Sequence, residues 1–182
     1  MRLTDLKEND EQLDEFLPAI GAAVGGIARG AAAVGGAALK GAQAVGGAVA
    51  KGIAAQIEQT EALLAKSNSA AAKSMLKNLR AAREAYLSVV DYVVNNTKSD
   101  IKNVFAGSVN YLRLSGLTLA GWQLARALLA AEARQAEDPS FFDAKIKTAR
   151  FFAEHLLSLV PGIASSVVEG GEAVNALSVE QF

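Results

Sequence analysis

Apolar and polar positions follow a helical period over most of this chain. Met75, Leu76, Leu79, Tyr86, Val89, Val90 and Val93 recur at three- and four-residue steps, while Lys73, Lys77, Arg80 and Glu84 fall largely on the other side. That spacing predicts an amphipathic helix over 70–95. A shorter helical run precedes it through Ile53, Ile57, Ala62 or Leu63, and Leu64, and Ser67-Asn68-Ser69 marks the break between the two.

The next helix is expected to begin at Ser99 or Asp100, after the turn-like Asn95-Asn96-Thr97-Lys98, and to reach the turn at 133–137. Ile101, Val104, Phe105, Val109, Leu112, Leu119, Trp122 and Leu129 surround most of its girth, a pattern that predicts burial on more than one side. Gly107, Gly116 and Gly121 cost roughly 1 kcal/mol each relative to Ala inside a helix. They predict close packing of a neighbouring backbone, with a bend at Gly116 as the alternative.

Asp138-Pro139 supplies an N-cap acceptor and a first-turn proline for the following helix. Its inner face reads Phe142, Ile146, Ala149, Ala153, Leu156 and Val160, widened by Phe141, Phe152 and Leu157, and Pro161-Gly162 ends or bends it. Ile163, Val167 and Val168 support one more short helix. Gly170-Gly171 interrupts it, and Ala173, Val174 and Leu177 close the pattern. No stretch alternates with the period of a strand. The expected fold is all-α, an antiparallel helical bundle over residues 53–182 with a Gly/Ala-rich N-terminal extension.

The extension has two parts. Residues 1–18 are acidic, with Leu6, Leu13, Phe16 and Leu17 along one edge, and read as a short surface helix or a tail. The acidity is wrong for a secretory or mitochondrial presequence. Residues 19–52 are Gly/Ala-rich, with AVGG at 23–26, 33–36 and 44–47 and with Arg29, Lys40 and Lys51 at eleven-residue steps. As a helix that period gathers the cations into one stripe. The segment reads as a linker or weak helix, a helix docked on a surface, or a membrane-active one. Its cations and its lack of Phe set it short of the ~20 strongly apolar residues of a span.

The net charge of -1 argues against nucleic acid as a partner. The absence of cysteine removes thiolate chemistry and fits a reducing compartment, so a cytoplasmic location is expected. His155 is the sole histidine and is read as structural, a residue that could bond a carbonyl of a neighbouring helix; its chain neighbour Glu154 does not face it. Glu169 and Glu172 share a helix face without a histidine at ligand spacing, so no metal site is expected. Glu132 and Glu137 read as solvated caps beside the turn. Neither a dinucleotide fingerprint nor a phosphate loop occurs among the glycines. No catalytic, cofactor-binding or metal-binding residue is therefore assigned. Trp122, Tyr111, Phe151 and Phe152 at helical positions are read as core.

One stretch carries a family resemblance. Tyr111-Leu112-Arg113, Gly116-Leu117, Gly121-Trp122, Ala144-Lys145-Ile146, the run from Thr148 to Leu157, and the closing Ala176-Leu177 with Phe182 resemble the extra C-terminal helical domain of a branch of the acyl-CoA dehydrogenase family. That branch includes bacterial enzymes acting on long-chain acyl-CoA and on methylthiopropanoyl-CoA. The likeness is specific over 100–182, weaker over 53–99 and absent over 1–52. It implies a non-catalytic module that packs on or caps catalytic domains. Those domains hold FAD and supply the catalytic glutamate, and none of them fits in this chain. FAD is thus expected only together with such a region. The resemblance also makes Trp122 and Phe152 candidates to line an acyl-chain edge. The rival expectation is a structural or membrane-associated assembly protein that self-associates through its Gly/Ala segment; a gene fragment without an independent role is a third.

Overall fold

The computed structural model describes residues 37–178 and 181. The expectations for residues 1–18, for 19–36 and for Phe182 lie outside the described residues. The chain divides into two compact units, residues 1–49 and 50–182. The described elements are α1 (Ala37–Leu64), α2 (Ala70–Asn96), α3 (Ile101–Ala106), α4 (Ser108–Ala133), α5 (Pro139–His155), a 3-10 turn (Leu157–Leu159), α6 (Val160–Glu169) and α7 (Gly171–Asn175). No strand occurs among the described residues. Residues 37–52 of the Gly/Ala segment are helical, and the boundary expected at 52/53 falls inside α1.

In the second unit, α2 and α4 lie against each other, and both pack on α5 and α6. The core is thus organised around α2 and α4, with α5 and α6 packed on both. The two run antiparallel. Ser69, just before α2, bonds Glu132 near the end of α4, while Tyr86 further along α2 lies near Tyr111 close to the start of α4. Ile57, Leu64, Met75, Leu79, Val89, Leu114, Leu128, Leu157, Val160 and Val167 are essentially closed to solvent, so the greasy edges of α1, α2, α4, the 3-10 turn and α6 form one interior.

The helix expected to run unbroken from Asp100 breaks at Gly107, not Gly116. A Cβ at Gly107 would stand 2.8 Å from Val167 Cγ1 and 3.2 Å from the Val167 carbonyl oxygen, so α6 crosses directly over the bare backbone there. Gly121 is also a close-packing position: a Cβ would meet Leu157 Cδ1 at 2.6 Å. Gly116 faces open space, with nothing within 4 Å of its would-be Cβ.

α5 starts as its sequence dictates, with the Asp138 side chain accepting from the Phe141 N–H. It ends at His155, earlier than the apolar spacing suggested. The chain tightens into the 3-10 turn, and Pro161 sits in the first turn of α6, where its missing N–H has no helical partner to lose. The span Pro139–Glu169 is long and apolar enough by length and composition to cross a membrane. Its inner edge, Ala149, Ala153, Leu157, Val160, Ala164 and Val167, is instead buried in the bundle.

Candidate functional site

The polar groups inside the bundle are tied to one another. Glu61, 3% exposed, accepts from Arg83 Nε at 2.7 Å and Arg83 Nη2 at 3.1 Å, and Arg80 Nε stands 3.5 Å away. This fork satisfies both carboxylate oxygens, as a buried charge requires. The Glu61 hydrogen bond holds the Arg83 guanidinium above its ordinary pKa, against the opposing effect of burial. Sequence reading missed the pair. Its signal was a carboxylate between Ile57 and Leu64 on the inward edge of α1.

Trp122, 5% exposed, donates from Nε1 to Thr60 Oγ1 at 2.9 Å, and Arg126 lies over its ring at 5.8 Å. Trp122 therefore joins α4 to α1 within the bundle, and Phe152 is half-buried on α5. Glu132 was expected to be a solvated cap. It instead accepts from Ser67 Oγ at 2.9 Å and from Ser69 Oγ, clasping the α1–α2 turn, while Ser69 Oγ itself caps α2 by accepting from the Ala72 N–H. The polar turn sits close enough to α4 for two hydroxyls to reach one carboxylate. Glu137 is exposed and bonded to Arg134, which holds its carboxyl below the usual range.

His155 is exposed and stacks on Phe151, with ring centroids 4.5 Å apart. The carbonyl partner expected on a neighbouring helix is not what it meets, because α5 turns its last residue outward. Glu154, its chain neighbour, bonds Arg150 at 2.7 Å, which lowers its carboxyl pKa. Glu169 and Glu172 are exposed beside a shallow depression also lined by Asp100 and Asn103. Among the described residues no three His, Asp or Glu side chains gather to hold a metal. Burial raises the phenol of Tyr86 to about 12, with Tyr111 contributing, and burial also raises Tyr111.

The outer side of α3 and α4 departs most from expectation. Ile101, Phe105, Val109 and Leu112 were expected to be buried, yet Phe105 is 65% exposed, Val109 76% and Leu112 74%. The bundle covers α4 on one side only. Val174 and Leu177, also exposed, extend this apolar surface, and with Lys102, Phe105, Ala106 and Asn175 they line an open depression of about 590 Å³.

What the described residues offer is thus an exposed apolar surface. The acetyl-CoA dehydrogenase C-terminal like family matches this sequence over residues 51–178.

The chain belongs to that family.

It is 35% identical over 128 residues to 3-methylmercaptopropionyl-CoA dehydrogenase of Ruegeria pomeroyi, a match that covers 69% of this chain and 22% of that relative. The chain thus spans well under half the length of the curated relative it matches. No solved structure matches it. The family match reaches back through α2 into α1, well before residue 100, and begins at the end of the Gly/Ala segment. The spaces beside Gly107, Gly121 and Gly171 are filled by Val167, Leu157 and Asn103, so these glycines serve packing within the bundle.

Proposed function

We propose that this chain is a non-catalytic helical module that seats on the flavin-binding catalytic region of an acyl-CoA dehydrogenase. The observation that carries the reading is the family match over 51–178, in a chain whose aligned residues cover only 22% of its dehydrogenase relative. The described residues agree with it. Their buried polar groups bond one another, and the sole histidine stacks on a phenylalanine at the surface. FAD, acyl-CoA and the proton-abstracting carboxylate belong on this reading to the partner region. The lack of cysteine supports a reducing, cytoplasmic setting.

The test mixes the purified chain with FAD and acyl-CoA. The expected result is no bound flavin absorbance and no dehydrogenation by the chain alone. Turnover by the chain alone would overturn the reading.

A further inference from the structure

Resting on that reading, we propose that the outward face of α4 and its approach from α3, running from Phe105 through Val109, Leu112 and Gly116 to Ala120, is the surface that meets the catalytic region. Its occupant is a helix with an apolar contact edge and carboxylates placed to meet Arg113.

Three observations select this face and this occupant. Large apolar side chains stand open here in a row, where a contiguous exposed patch marks an interaction surface. Gly116 lies in the same row inside a 26-residue helix, where glycine costs stability, and among the described residues nothing fills the space beside it. A bare backbone at the centre of an apolar row suits another helix approaching closely. Finally, α3 and α4 carry Lys102, Arg113 and Arg126 and no carboxylate from Ile101 to Ala131. Opposite charge across an interface fixes register and excludes wrong partners.

The same observations disfavour two other occupants. A second copy packed on this face would bring Arg113 towards its own mate, with no carboxylate between Ile101 and Ala131 of either copy to answer it. A lipid surface gains nothing from an open glycine, and Glu169 and Glu172 stand exposed near the α3 end of the patch.

The test replaces the matching 128 residues of the Ruegeria pomeroyi dehydrogenase with residues 51–178 of this chain, then introduces Leu112→Glu or Gly116→Leu. The unsubstituted graft is expected to retain flavin and activity. Each substitution is expected to lower activity about tenfold or more, the scale of losing one central interface contact. Leu159→Glu, at an exposed leucine outside the face, is expected to leave activity within about twofold. In the full 182-residue chain Leu112→Glu is expected to leave the melting temperature nearly unchanged, since the position is open to solvent, and Gly116→Leu to raise it slightly, since it removes the helix cost of glycine without meeting anything. A graft that never assembles overturns the functional reading and this surface with it. An active graft indifferent to both substitutions overturns the surface alone. Two outcomes with the full chain overturn the proposed occupant: binding to phosphatidylglycerol vesicles that Leu112→Glu abolishes, or a dimer that Leu112→Glu dissolves.

Discussion

Gly116 and Gly121 are five positions apart on one helix and have opposite surroundings. Adding a methyl at Gly121 drives it into Leu157, which is fully buried and has nowhere to swing. Gly121→Ala is therefore expected to destabilise the chain by about 1–3 kcal/mol, as overpacking does. Adding a methyl at Gly116 meets nothing and removes the helix cost of glycine, so Gly116→Ala is expected to stabilise the free chain by about 1 kcal/mol. Urea unfolding of the two variants reads both signs. Tyr86 makes a third point at this scale. Its phenol is neutral in both states below pH 10, where it contributes no pH dependence. Between pH 10 and about 12 the unfolded chain releases the proton while the folded chain keeps it. Stability is thus expected to fall as pH rises through that window. Tyr86→Phe should flatten the slope in a series of thermal melts. Sequence shows that Tyr86 faces inward, but not how far its hydroxyl is removed from water, which depends on α4 lying across it.

Among the elements, α2 was legible almost to the residue because its period is unbroken and Ser69 caps it within hydrogen-bond reach of Ala72. α5 was legible at its start, where the Asp138-Pro139 cap is local, and not at its end. The turn at Leu157 is fixed by the notch at Gly121, a contact that no spacing along the chain reports. The outer face of α4 was misread for a similar reason. Periodicity shows that a helix has apolar residues all round, but not how many sides the rest of the chain can cover. The link between α1 and α2 depends on Glu61. Arg83→Ala leaves that carboxylate buried with only the more distant, exposed Arg80, and is expected to cost about 3 kcal/mol. Replacing both partners, Glu61→Leu with Arg83→Met, is expected to recover most of that loss. Chemical denaturation of the single and double variants measures the difference.

For the whole molecule, the family could be read from Tyr111–Leu157 before any coordinates, because those residues carry both the inner contacts of α4 and α5 and the outward row of α4. The surface itself could not, since exposure is a property of the assembled unit. The span from Pro139 to Glu169, buried along its inner edge, has a consequence for biosynthesis. As it leaves the ribosome it is an apolar segment of the kind the membrane-insertion machinery accepts. Yet it follows α2 and α4 in the chain, so their inner faces already exist to receive it. Once Leu157 packs into the gap at Gly121, the inner edge of the segment is covered by the bundle and is no longer offered to a bilayer. A methyl group at Gly121 would therefore delay that commitment and lengthen the interval in which a nascent chain is exposed to mis-sorting or aggregation.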